Sequence, residues 1–143
     1  MTHEAPPPRS RYRFTKANRL QHKREFDSVF AGKARLERGP LVVHAIPNAG
    51  GVSRLGLSVS RRVGNAVRRN RMKRLLRECF RTLRPEFPGA YDLIIAVRPH
   101  KELPHEAYCT FLRLAIEAEH HLWMKRMQRR GPVPPPAPGA PSV

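Results

Sequence analysis

Acidic side chains are scarce in this sequence. Eleven Asp and Glu stand against 28 Lys and Arg in 143 residues, giving a formal charge of +17 and a pI near 11.5. So few carboxylates exclude much chemistry. A two-metal nuclease needs several acids converging on ions about 3.5–4 Å apart. Here Glu25/Asp27 and Glu117/Glu119 each sit two apart on predicted helices and face away from one another. No D-x-D or H-E-x-x-H pattern occurs, and there is no Walker-type glycine loop or nucleophile elbow. Seven histidines offer no spacing that singles out an acid–base pair, and the adjacent His120 and His121 point different ways. The chain by itself is expected to hold no catalytic residue and no metal.

Long apolar runs are missing too. Nothing approaches the ~18 consecutive apolar residues of a membrane span, and the N-terminus lacks the apolar centre of a secretion signal. Trp123 is the single tryptophan, which argues against a membrane-surface helix. A cytoplasmic location is expected. Only two cysteines occur, Cys79 and Cys109, in apolar helical patterns with no C-x-x-C or Cys/His ligand spacing. They read as buried thiols rather than a disulfide or a metal site.

What is abundant is arginine, 22 against six lysines. Such an imbalance self-repels and calls for a counter-charge. Arginine's planar fork suits phosphates and stacking on bases, so nucleic acid is preferred over an acidic protein or a membrane. The charge concentrates in Ser58 to Arg84, SVSRRVGNAVRRNRMKRLLRECFRTLR, with ten cations and one acid, Glu78. Wound as a helix at about 100° per residue from Ala66, it separates into two faces. Met72, Leu75, Leu76, Cys79, Phe80 and Leu83 share one side; Asn70, Lys73, Arg74, Arg77 and Arg81 share the other. The spacing predicts a helix buried on one face that presents a fixed row of guanidinium groups on the opposite one. Gly64-Asn65 opens this helix directly after a strand, so its first free N–H groups could also hold a phosphate.

Around that stretch, residues 1–17 read as a basic, Pro-rich arm, 18–128 as one folded domain and 129–143 as a Pro-rich tail. A helix is predicted from His22 to Ala31, ended by Gly32, with Phe26, Val29 and Phe30 on one side. Two aromatics on a short helix suit a core as readily as a ligand platform. Lys33–Glu37 and Leu41–Ile46 follow as strands. Asn48-Ala49-Gly50-Gly51 reads as a hairpin turn into a partner strand, Arg54–Ser60, whose Gly56, Ser58 and Ser60 side is small and polar. Beyond the basic helix, Tyr91–Val97 reads as a strand covered on both faces. A last helix is predicted from His105 to Met127, its buried stripe marked by Ala107, Phe111, Leu114, Ala115, Ala118 and Leu122. The order α-β-β-β-α-β-α predicts an α+β fold, a two-layer α/β sandwich.

The segment Arg54 to Glu78, RLGLSVSRRVGNAVRRNRMKRLLRE, closely resembles the signature of the protein subunit of bacterial ribonuclease P. That signature is a G-L-S-V-S strand, two basic residues, then V-G-N-A-V-x-R-N-R-x-K-R-x-x-R-E; this sequence has Arg61 and Arg62 where Lys is common. Arg19-Leu20, Phe26 and Phe30 resemble the family's first helix, and Tyr91 to Arg98 its last strand. The resemblance implies a four-stranded sheet with a left-handed βαβ crossover. It also implies a role in removing the 5′ leader of precursor tRNA, with cleavage carried by an RNA subunit and Mg2+ held mainly by that RNA.

By that resemblance the catalytic RNA is met by Arg61, Arg62, Asn65, Arg68, Arg69, Asn70, Arg71, Lys73, Arg74 and Arg77. The single-stranded leader lies in a cleft with Phe26, Phe30, His44, Ser58 and Ser60. His44 stands where a relative carries Tyr. The expected partners are the catalytic RNA and the precursor leader, not DNA or membrane, with the protein monomeric in the complex. The alternative is a structural RNA-binding protein such as a ribosomal protein.

Overall fold

The segment YDLIIAV has apolar side chains on both faces and no charge after Asp92, so it gains most by taking a central place in a sheet. A computed structural model, which describes residues 14–130, puts it there. The elements in order are α1 (Lys23–Ala31), β1 (Arg35–Arg38), β2 (Leu41–Pro47), β3 (Arg54–Val59), α2 (Ala66–Leu83), β4 (Tyr91–Val97) and α3 (His105–Arg130). The sheet order is β1-β2-β4-β3, with β4 antiparallel to β2 and parallel to β3. The α+β class and the element order agree with the reading of the sequence.

The predicted hairpin does not form. β2 and β3 are not neighbours, because β4 lies hydrogen-bonded between them. The Asn48–Gly51 stretch instead carries the chain past the start of β4. The Asn48 amide donates to Val52 O at 2.7 Å and to Asp92 Oδ1 at 2.8 Å, tying this connection to the central strand. The hairpin that does form joins β1 to β2, with Arg38 opposite Leu41 and Gly39-Pro40 between them. Gly39 has φ +55, and a Cβ there would also strike the Phe111 ring at 2.6 Å.

Alternation along the strands sorts the two faces. Leu41, Val43, Leu55, Leu93 and Ile95 meet α2 and α3 in the main core, with Leu76, Phe80, Tyr108 and Leu112. The other face carries α1, where Val29 and Leu20 cover Ile94, flanked by Phe26 and Ile46. The buried side of α2 is as the sequence predicts, Met72, Leu76, Cys79, Phe80 and Leu83, with Leu75 half-buried. On α3 the predicted stripe is rotated. Tyr108, Leu112, Ala115, Ile116 and Glu119 are buried, whereas Leu114 is 44% exposed. Tyr108, Leu112, Ala115 and Ile116 have the i, i+4, i+7, i+8 spacing of a better apolar face, and the acid at 119 disguised its last turn.

Two further differences stand out. Phe14 packs edge-on against Phe80 with ring centroids 5.7 Å apart, so ordered structure starts within the segment read as an arm. Residues 1–13 of that arm and residues 131–143 of the tail lie outside the described residues. Cys79 and Cys109 are not separate buried thiols: they are joined as a disulfide between α2 and α3, with Cα atoms 5.1 Å apart. Their separation of 30 in sequence leaves no local spacing to reveal it; only the packing of the two helices does.

Candidate nucleic-acid interface

The chain turns from β3 into α2 through Gly64, at φ +156, where a Cβ would sit 2.7 Å from the Arg68 side chain. Asn65 then caps the helix, its Oδ1 accepting from Arg68 N at 2.9 Å. This fixed start sets which cations face outward. Asn70 and Arg74 are exposed, as are Arg61 and Arg62 on the short turn before the helix. Lys73 and Arg77 are half-buried.

Others are partly used inside the protein. Arg68 donates to His100 O, and Arg71 pairs with Glu102 at 3.2 Å, both exposed. Arg81 pairs with Glu78 at 2.5 Å. Arg69 is half-buried, and its Nε has no hydrogen-bond partner. The outward row of α2 is therefore shorter than the sequence pattern implies, but Asn70, Lys73, Arg74 and Arg77 remain continuous.

Beside that row runs a furrow of about 350 Å³, along the outer edge of β3. Its floor is Leu20, Phe26, Gly56 and Leu57, and its walls include Arg19, Lys73 and Arg77; no acid lines it. Gly56 lets Phe26 lie against the strand, since a Cβ there would stand 2.7 Å from the ring. Burial, then the like charge of Arg19, hold Arg77 below its ordinary pKa. Two guanidinium groups thus face one another with no counter-charge supplied by the furrow, which makes it receptive to an anion.

The structure therefore unites residues the sequence reading assigned to separate surfaces: Phe26 from the leader set, Lys73 and Arg77 from the catalytic-RNA set. Phe30, one turn along α1, is 45% exposed and meets His44 edge-on at 4.8 Å. Burial, then Arg35, lower the pKa of His44 and favour its neutral ring. Ser58 is exposed on the same sheet face as Gly56 and His44, and Ser60 is exposed just beyond the strand.

Phe14 and Gln21 also line the furrow and carried no periodic signal in the sequence. Nor did Arg54, which braces α1 to the sheet by pairing with Glu25 and with Asp92 at 2.7 Å. Backbone donors from Gln21 and His22, ahead of Arg54, hold the Glu25 carboxyl below its usual range. Among the described residues the one cluster of three metal-donor side chains is Cys79, His105 and Cys109. Its soft donors do not suit Mg2+, which takes oxygen ligands.

Comparison with known proteins settles the family. A family model described as Ribonuclease P matches residues 14–118. The chain belongs to the Ribonuclease P family. Curated ribonuclease P protein components resemble it over most of their length. That of Exiguobacterium sp. is 43% identical over 111 residues, covering 78% of this chain and 96% of the relative. That of Desulfotalea psychrophila is 42% identical over 89 residues, covering 62% and 74%.

Among solved structures, the Staphylococcus aureus RNase P protein superposes with TM-score 0.63 at 30% identity, covering 72% of this chain and 95% of that one. The Thermotoga maritima RNase P protein gives 0.62 at 29%, covering 70% and 96%. Of the two readings of the sequence, the ribonuclease P protein component stands and the ribosomal one has no support. No helix among the described residues is long and apolar enough to cross a membrane.

Proposed function

We propose that this chain is the RNA-binding partner in a ribonucleoprotein that removes the 5′ leader from precursor tRNA. An RNA subunit performs the cleavage and holds the Mg2+. The exposed face of α2, with Arg61 and Arg62, grips that RNA through phosphates and shape, since a folded A-form helix hides its base edges. The furrow and the adjoining Phe30–His44 pair hold the single-stranded leader. A basic groove with aromatic stacking binds single strands with little sequence preference, which fits a protein meeting leaders of many sequences.

The observation that supports this division is the acid-free furrow. Arg19, Lys73 and Arg77 supply charge above a floor containing Phe26. The test compares precursor with mature tRNA on the reconstituted complex. Arg77→Ala should weaken precursor binding about ten- to a hundredfold, as loss of a charge-assisted contact worth roughly 1.5–3 kcal/mol would, and leave mature tRNA within about twofold. Equal losses for both would place Arg77 on the catalytic RNA instead.

A further inference from the structure

The cysteine pair has a third member. His105 is the first residue of α3 and Cys109 lies one turn on, so the two share a face of that helix. Cys79 rises from the buried side of α2 to meet them. His105 Nε2 stands 3.4 Å from the Cys79 sulfur and 3.5 Å from the Cys109 sulfur, and the three donor atoms lie within 4.8 Å of one another.

These distances have a chemical meaning. Zinc bonds thiolate sulfur at about 2.3 Å and imidazole nitrogen at about 2.0–2.1 Å; at a tetrahedral angle this sets sulfur and nitrogen about 3.5 Å apart. Both sulfur–nitrogen spacings already have that value. We propose that Cys79, His105 and Cys109, when the cysteines are reduced, form a binding site for one thiophilic divalent cation, zinc, at the junction of α2 and α3. Water completes the fourth position. His105 is exposed and Cys109 half-buried, so the site can fill from solvent.

Disulfide and metal exclude each other, because the sulfurs cannot bond one another and ligate as thiolates. Two small thiols open the site: they give two electrons to the Cys79–Cys109 bond, become a disulfide themselves and leave two cysteine thiols. Each thiol loses its proton to solvent as the cation binds. The cation replaces one clamp between the helices with another. It sits on the side of α2 away from the exposed Asn70 and Arg74, so it braces the RNA-binding helix without touching RNA.

The test uses the full-length chain, reduced with a phosphine and then freed of it, with zinc titrated against a chromophoric chelator. One equivalent should bind tightly, and cobalt should give a thiolate charge-transfer band with intense tetrahedral visible absorption. Cys109→Ser should lose the charge-transfer intensity of one thiolate and weaken zinc binding at least tenfold; Cys109 is half-buried, so this variant spares the core. His105→Ala, at an exposed position, should weaken binding and retain both thiolate bands. The oxidised chain should bind no zinc at this affinity. Failure of the reduced chain to take up zinc overturns the proposal, and so does uptake unchanged by Cys109→Ser, which would shift binding to the chain's other histidines.

Discussion

Glu119 is 1% exposed and neither carboxylate oxygen has a hydrogen-bond partner. Burial, partly opposed by Arg126, pushes its pKa from 4.5 up to about 8. The folded state therefore keeps a proton that the unfolded chain releases above pH 4.5. Stability must fall as pH climbs from about 4.5 to about 8 and level off beyond. Glu119→Gln removes that titration. It should unfold at higher urea than the parent at pH 8, by about 4 kcal/mol if the whole shift is expressed as stability, with the gap closing towards pH 5. A gap independent of pH would show that the carboxyl stays ionised in the fold.

The two aromatics of α1 invite a different comparison. Phe30 is half in solvent, so Phe30→Ala should cost about 1 kcal/mol or less in stability. A stacked leader base is worth roughly 1–3 kcal/mol; the loss should appear in precursor affinity and hardly at all with mature tRNA. Phe26, pressed onto Gly56 and Leu20, should lose stability as well. Thermal melts beside binding curves separate the two effects.

At the scale of elements, α2 is the part the sequence displayed most openly. A cap residue, a 3.6-residue period and a sharp division of apolar from basic positions agree with one another, and the helix begins at Ala66, the residue from which the sequence pattern winds. What could not be read is which arginines the protein spends on itself. Arg71 is shared with Glu102 and Arg68 with His100 O, partners 31 and 32 residues away that only the fold brings near. This has a measurable consequence. Arg74→Ala should reduce the slope of log affinity against log salt by about one for the catalytic RNA, and Arg71→Ala should reduce it less. Equal slopes would mean Glu102 releases Arg71 on binding.

Strand pairing was legible less well, for a physical reason. Hydrophobic alternation fixes which side of a strand is buried but not which strand lies next to it. Asn48-Ala49-Gly50-Gly51 has the composition of a hairpin turn, yet the strongly apolar β4 competes for the place beside β2 and wins.

For the whole molecule, the furrow depends on four separate pieces of chain: the segment from Phe14 to Gln21, α1, β3 and α2. The Arg54 network with Glu25 and Asp92, and Arg126 donating to Gly32 O at 2.6 Å and Lys33 O at 2.8 Å, hold α1 to the sheet and to α3. Because the proposed division of labour gives cleavage to the RNA subunit, activity is expected only in the assembled particle. Purified chain freed of RNA should leave precursor tRNA intact, and adding it to the RNA subunit should restore cleavage at Mg2+ concentrations where the RNA alone is slow. Turnover by the RNA-free chain would overturn this assignment.

β3 ends the sheet, and among the described residues the backbone bridged to its outer rim is Arg19-Leu20, with Leu20 N donating to Leu55 O at 3.1 Å. An uncovered rim of backbone invites a strand from another molecule. Here the cations that flank it repel a second copy of so basic a chain, while a polyphosphate is drawn in. The same charges thus guard the protein against sticking to itself before its RNA arrives, and a chain stripped of them would stand to become insoluble as well as inactive.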